Sequence, residues 1–323
     1  MTAPDVLVLL RPRPRAPAPP EDTPIGRAAL QLASEGIGVL IGTAQAPFRA
    51  APGGWARAEL DHVVAVHDRF PSWTWPDEYA RAREGIAHLP LANPPTLQDL
   101  CRDKLACQRS LEAAGIPQPP VEGDPRRFAE RLAEWGAGYL KPRYGALGRG
   151  VSRVTPGDPL PAEGPGATRG QLEPLILQRA VPPPPGVAGL ALRVLTQRTP
   201  SGGWVTASHV ARRSFADPVA NVERGAEALP AEDLLPRATL DATDALCVRV
   251  GAALAALPEA EPLVELGVDV VIDPELRPHL IEVNSRPGGR LKALAGQDAA
   301  RFAAAHVEAC ARPLRALAAW PWA

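Results

Sequence analysis

The segment GVDVVIDPELRPHLIEVNSRPGG, from Gly267 to Gly289, constrains this chain more than any other. Two apolar runs flank a Pro-containing turn, the pattern of a β-hairpin. Each run nevertheless carries an acid where a core side chain is expected. With a loop over Pro274 to Arg277, the register sets Asp269 directly opposite Glu282, and Asn284 lies two residues further along the same face as Glu282. Like charges directly opposite each other destabilise a sheet. A divalent cation between them would turn repulsion into a clamp. Mg²⁺ takes such hard oxygen ligands, keeps several waters and completes its octahedron with substrate phosphates. Asp269, Glu282 and Asn284 are therefore candidate metal ligands. The alternative is a different register with both acids solvated.

Length and composition set the frame. A chain of 323 residues is too long for one small core and suits two or three lobes. At 46% hydrophobic and 22% charged it is globular. A net charge of −1 offers no basic field for wrapping nucleic acid. Cys101, Cys107, Cys247 and Cys310 show no metal-type spacing and are too few for a disulfide framework, so buried free thiols and a cytoplasmic location are expected. DVLVLL near the start is too short for a signal or a membrane span and reads as a first strand. Oligomeric state is left open.

Of the 35 Lys and Arg, only Lys104, Lys141 and Lys292 are lysine. Surface positive charge in this chain is written as Arg. A surviving Lys either marks a site that needs a compact ammonium on a thin stem, or survives by chance.

Residues 1–96 alternate strands and helices, the rhythm of a small open sheet, with a Pro-rich loop RPRPRAPAPPEDTP after the first strand. LPLANPPT reads as a linker. One helix is expected over Leu97 to Ala114, and another in DPRRFAERLAEWG with Asp124 as its N-cap. GYLKPRYGALGRGVSRV reads as strand, glycine-rich turn, strand. Strands follow in PLILQRA, GLALRVLTQ and GGWVTASHVARR, with VPPPPGV between the first two as a stiff connector. A long helix precedes the acidic hairpin, and an Ala-rich helix, kinked at Pro313, closes the chain.

KPRYGALGRGV combines Lys141 with Gly145, Gly148 and Gly150. Glycine lets backbone amides approach phosphate oxygens closely, and the ammonium adds a point charge. The Lys precedes the glycines, so this is not a P-loop, and an ordinary hairpin turn is the plain alternative.

DK…GIPQP, YLKPRYGALGRGV, LILQRAV…LRVL and GVDVV…LIEVNSRPGG, in this order, resemble the ATP-grasp enzymes over roughly residues 95 to 292. LRVLTQRTPSGGWVTASHVARRSFADPVANVERGAEA followed by ELGVDVVIDPELRPHLIEVNSRPG looks most like the YheC/YheD endospore-coat-associated branch, related to glutathione synthase and RimK-type ligases. The resemblance implies an α/β (α+β) ATP-grasp fold. It divides the chain into a pre-ATP-grasp domain at 1–96, a lid subdomain at 97–175 and a large subdomain with the metal site at 176–323. It implies ATP and Mg²⁺ as cofactors, two ions in number, with Mn²⁺ an alternative. Lys104 and Lys141 would hold the α- and β-phosphates, and the 145–150 loop would close over the triphosphate. The Gln178, Arg179, Val181 segment would bind adenine through its backbone. Arg193, Arg212 and Asn284 would act on the transferred phosphoryl or the substrate carboxylate, with Asn221 at the edge. Family members often carry an acid where this chain has Arg179 and an Asp where it has Ala191, which bears on ribose recognition and on the orientation of Arg193.

The implied activity is ADP-forming carboxylate–amine ligation through an acyl phosphate. Its partners would be small-molecule or peptide carboxylates and amines, with no nucleic acid and no membrane. Two other readings stand beside it: an ATP-binding regulatory or coat-assembly protein without turnover, and a phosphotransferase acting on a hydroxyl. No Cys–His or Ser–His–Asp set is evident, and His209 is expected to be structural.

Overall fold

Strict alternation along the strands of one sheet decides where everything else goes. The computed structural model describes residues 5–11, 20–72, 74–145, 148–165, 172–288 and 291–322. Residues 12–19 of the Pro-rich loop, 146–147 of the glycine-rich turn and Gly289 at the end of the hairpin motif lie outside them.

The first sheet holds β1 (Asp5–Leu9), β2 (Gly38–Gly42), β3 (Phe48–Ala51), β4 (Gly54–Arg57) and β5 (Val63–Asp68), in the order β4-β3-β2-β1-β5. β1 runs parallel to β2 and β5, as the β-α-β rhythm implies. The β3–β4 hairpin is an antiparallel addition that this rhythm does not signal. Helix α1 (Pro24–Ser34) starts where Thr23 Oγ1 accepts the N–H of Gly26 at 3.1 Å, with Pro24 in the first turn. Helix α2 (Pro76–Ala82) packs beyond β5.

The helix expected from Leu97 to Ala114 is two helices, α3 (Pro95–Arg102) and α4 (Lys104–Ala113). Asp103 breaks it. Its backbone is extended, and its Oδ1 accepts the N–H groups of Leu105 at 3.2 Å and Ala106 at 3.1 Å, so it caps α4. The same carboxylate takes Arg143 Nε at 2.7 Å and Nη2 at 2.5 Å. The break makes Lys104 the first residue of α4. Asp124 caps a single 3₁₀ turn, from which α5 (Phe128–Trp135) continues.

The second sheet orders β6 (Val121–Glu122), β10 (Leu172–Arg179), β7 (Gly138–Pro142) and β8 (Ser152–Val154), with β9 (Glu163–Pro165) also on β10. β10 spans the boundary expected at residue 175 and pairs with β6, β7 and β9.

The third sheet is wholly antiparallel. It comprises β11 (Gly189–Arg198), β12 (Trp204–Ser214), β13 (Glu227–Pro230), β14 (Glu265–Ile272) and β15 (Pro278–Asn284), in the order β13-β12-β11-β14-β15. Helix α6 (Arg237–Ala255) covers one face. Leu192 and Val194 of β11, and Val268 and Val270 of β14, bury against its Cys247, Val250 and Leu254. Each such Val or Leu contributes about 1.5–3 kcal/mol of burial. The alternate positions, among them Arg193 and Asp269, occupy the opposite face.

The acidic hairpin keeps the expected pairing of Asp269 with Glu282, by a different route. Ile272 pairs with Pro278, so the loop is Asp273 to Arg277, one residue longer than expected. A bulge restores the register. Val270 pairs with Leu280 and Asp269 with Glu282, which leaves Ile281 as the extra residue.

Helices α7 (Leu291–Gln297) and α8 (Ala299–Ala318) end the chain, and Pro313 lies inside α8. Ala311, Leu314 and Leu317 of α8 share one core with Val6, Val8, Ala28 and Leu32 of the first lobe. No helix among the described residues is long and apolar enough to cross a membrane.

LPLANPPT does more than link. Asn93, at φ 56° in the left-handed region, is buried. Its Oδ1 accepts the N–H of Val264 at 3.0 Å, and its Nδ2 donates to the carbonyls of Glu265, at 2.6 Å, and Ser285. One side chain thus ties the linker to both strands of the hairpin. Asn93→Ala leaves those groups unpaired and strains the backbone. It is expected to cost about 2–4 kcal/mol in chemical denaturation. A loss below about 0.5 kcal/mol would show that the clasp contributes nothing.

Candidate active site

A cleft of about 230 Å³ lies between the second sheet and the open face of the third. It brings together Lys104, Lys141, Gly145, Gly148, Gln178, Arg179, Val181, Arg193, Arg212, Asn221, Asp269, Glu282 and Asn284. Every residue to which the resemblance gives a site role borders it except Gly150. That glycine has φ +67° and packs against Pro142 and the carbonyl of Pro165, so it shapes the turn without lining the cleft.

Two of the three lysines are here, and both are buried, Lys104 at 9% exposure and Lys141 at 5%. The third, Lys292, is exposed and lies elsewhere. Lys141 Nζ donates to Gln178 Oε1 at 2.6 Å, and Gln178 Nε2 lies 3.4 Å from Gln108 Oε1. The Gln178 side chain therefore positions the ammonium, a role that the resemblance, which used only its backbone, did not supply. Lys104 Nζ donates to the carbonyl of Gly145, tying α4 to the glycine-rich turn. Gly148 has φ +70°, and a Cβ on it would come within 2.8 Å of Asn221 Nδ2. Its lack of a side chain lets the turn lie against Asn221.

The face of the third sheet answers the charge problem posed by the hairpin. Asp269 Oδ1 accepts Arg212 Nη2 at 2.6 Å, and Oδ2 lies 2.9 Å from Arg193 Nη2. Asn284 Nδ2 also donates to Oδ2, at 3.0 Å. Two guanidinium groups thus compensate Asp269, and their attraction outweighs its like-charge repulsion with Glu282. Arg193 pairs across the strands with Asp269, and Arg212 with Ala191. The alanine at 191 therefore leaves Arg193 oriented by Asp269 directly. Glu282 makes no hydrogen bond or ion pair with a described residue. The Nε atoms of Arg193 and Arg212 are buried and have no acceptor.

The donor set suits a hard cation that brings its own ligands. Among the described residues no group of three His, Cys, Asp or Glu could hold a metal. The two carboxylates and the amide would supply part of a shell, leaving phosphate and water to complete it, which is the habit of Mg²⁺. The cysteines are all free, with Cys101, Cys107 and Cys247 buried. His209 is bound to Asp244 of α6 at 2.5 Å, the structural role expected.

Several lining residues carried no sequence signal: Tyr139, Pro183, Pro218 and the bulged Ile281. Pro183 shows that the polyproline connector forms part of the wall.

The comparisons are consistent with this architecture. No protein of curated function matches the chain in sequence. D-alanyl-alanine synthetase A from Vibrio cholerae superposes on it with a TM-score of 0.53 at 16% identity, over 97% of this chain and 99% of that one. D-cycloserine synthetase DcsG does so with 0.54 at 19%, over 94% and 99%. The ATP-grasp ligase PsnB, complexed with minimal precursor, Mg and ADP, gives 0.53 at 16%, over 97% and 99%. Residues 187–308 match the family model for YheC/D-like ATP-grasp. The chain has the ATP-grasp fold. That matched segment begins in the connector before β11 and ends in α8, so it contains Arg193, Arg212, Asp269, Glu282 and Asn284. Lys104, Lys141 and Gln178 of the ATP-grasp cleft lie outside it.

Burial pushes the Lys141 ammonium down to about 8, with Glu282 and Asp269 pulling it up and Lys104 pushing it down. The unfolded group sits near 10.5. Between those values the unfolded chain binds more protons, so the native state gains stability as pH rises through that window. The melting temperature of the wild type should therefore rise relative to Lys141→Met between pH about 8 and about 10. A difference that stays constant with pH would contradict the buried, strained ammonium.

Proposed function

We propose that this chain is an ATP- and Mg²⁺-dependent carboxylate–amine ligase that releases ADP and acts on an amino acid or a peptide. The observation that carries this reading is a surplus of positive, unsatisfied donors in one buried cleft. Two guanidinium Nε atoms lack acceptors beside two buried lysines, while Glu282 has no hydrogen-bond or ion-pair partner among the described residues. A buried donor without an acceptor costs about 1–3 kcal/mol, and an anion placed between them recovers it. The ligands named for PsnB, Mg and ADP, support the same occupant.

A carboxylate resists amines because its carbonyl is electron-rich and its leaving group is poor. Bound ATP would supply the γ-phosphoryl that makes the carboxylate an acyl phosphate, a mixed anhydride with a good leaving group. The protein's part is positioning and charge compensation. Lys104 and Lys141 bind α- and β-phosphate oxygens. Gly145 and Gly148 let the turn approach them, and the segment from Gln178 to Val181 meets the adenine through its backbone. Arg193 and Arg212 face the transferring phosphoryl and the carboxylate, each with Nε to donate. Glu282, with Asp269 and Asn284 beside it, would hold Mg²⁺. The free cysteines fit a reducing compartment, and a cytoplasmic location belongs to the proposal.

Glu282→Gln tests it. The carboxylate makes no bond that the amide would break, so the protein stays folded. Because Asp269 is already compensated, no gain in stability from relieved repulsion is expected. Mg²⁺-dependent ADP release should fall by on the order of 10²–10³. Activity within about threefold of wild type would remove Glu282 from the metal site. Mass spectrometry of products from ATP, Mg²⁺ and pooled amino acids separates the reactions. An amide with ADP supports ligation. A stable phosphorylated product supports a phosphotransferase, and tight ATP binding without ADP a protein that has lost turnover.

A further inference from the structure

A second cavity, of about 570 Å³, opens on the other side of Arg193. Its floor continues the same sheet face. Leu195 of β11, Ser208 and Val210 of β12 and Gly267 of β14 extend the rows that carry Arg193, Arg212 and Asp269. Its roof comes from α7, α8 and the first lobe. Arg193 borders both cavities. Gly267 makes that possible. A Cβ there would come within 2.7 Å of Arg193 Nη1 and 3.1 Å of Pro287 Cβ. The strand is bare where the guanidinium crosses it.

The buried carboxylate of this chamber is spent on its neighbours, and of the His67 ring only Nδ1 is left without a partner. Glu265 Oε1 accepts Arg69 Nη1 at 2.7 Å and lies 3.2 Å from His67 Nε2. Its Oε2 accepts Gln197 Nε2 at 3.2 Å. His67 stays neutral, its pKa pushed to about 3 by burial and then by Arg69 and Arg286. Asp22 and Lys292 are exposed and opposite in sign, and Glu265 is matched by Arg69, so Arg193 is the one charge of the lining that no other lining residue offsets. A ligand therefore meets hydrocarbon on most sides. At the end shared with the cleft it meets Arg193, whose Nε is buried without an acceptor.

We propose that this chamber binds a carboxylic acid with an apolar body. Its carboxylate meets Arg193, and its hydrocarbon lies along Leu10, Ile25, Leu195, Val210, Leu291 and Ala295. A second charged group on the acid, buried among this hydrocarbon, would find an engaged Glu265 and a neutral His67 in place of a free counter-charge, which disfavours it. Burying the body instead removes apolar surface from water. The role of this acid as the group to be activated rests on the ligase reading of the neighbouring cleft; its binding does not.

The test is calorimetric titration of the full chain, without nucleotide, against 4-methylpentanoate, 3-phenylpropanoate, glutarate and 6-aminohexanoate. The two apolar acids should bind at least about tenfold more tightly than the two carrying a second charge. Ala295→Trp and Ser208→Phe each fill the chamber from a different wall. Either should weaken the apolar acids by about tenfold or more while ADP affinity stays within about twofold. Thermal unfolding checks that each variant is folded, and one folded variant suffices. Charged acids binding as well as apolar ones, no acid binding at all, or full acid affinity in the filled variants would overturn the proposal. Loss of ADP binding with acid binding intact would count against the ligase reading alone.

Discussion

The ion triad of Asp269 with Arg193 and Arg212 is the interaction on which the site depends. It lies in the middle of an antiparallel sheet, on the face opposite α6, and it joins three adjacent strands through side chains as well as backbone. Breaking such a buried arrangement by removing one member leaves uncompensated charge and is strongly destabilising. An isolated buried pair is weak evidence for stability, because desolvation offsets its attraction. Here each arginine also keeps an Nε without an acceptor. The triad therefore holds the sheet face together while withholding part of its hydrogen-bonding capacity.

Around it the chain divides the labour by residue chemistry. Planar guanidinium groups meet the carboxylate of Asp269, and compact ammonium groups line the opposite wall. Lys141 is held by a neutral amide, Gln178, so its charge is left for a ligand. Glu282 stabilises that charge from a distance without forming a pair. Arg286, just beyond β15, reaches the first lobe through Ser72 Oγ and the carbonyl of Phe70. The hairpin that carries the acids is thus fixed to the first lobe at Arg286 and to the linker at Asn93.

Much of this was legible in the sequence, and the reasons differ by element. The hairpin showed itself through period-two apolar runs, and its acids stood out because they interrupt them. The scarcity of lysine marked Lys104 and Lys141, since almost every ordinary positive site had become Arg. What escaped was non-local. Nothing in a single strand says that Asp269 will meet two arginines from neighbouring strands, so repulsion with Glu282 looked dominant. The bulge at Ile281 compensates for a longer loop, and neither departure can be seen without the partner strand. The carboxylate of Asp103, which caps α4 at the helix break, also meets Arg143, forty residues away. Asn93 looked like a linker residue because its three partners lie across the chain.

The sharing of a core between α8 and the first lobe bears on how the chain acquires its structure. Strands β1 and β2 are made long before Ala311, Leu314 and Leu317, which complete their packing. The first lobe must therefore wait, partly open, until α8 has been made. Chains cut short before α8 would lose the packing of a lobe that lies about 300 residues earlier in the sequence.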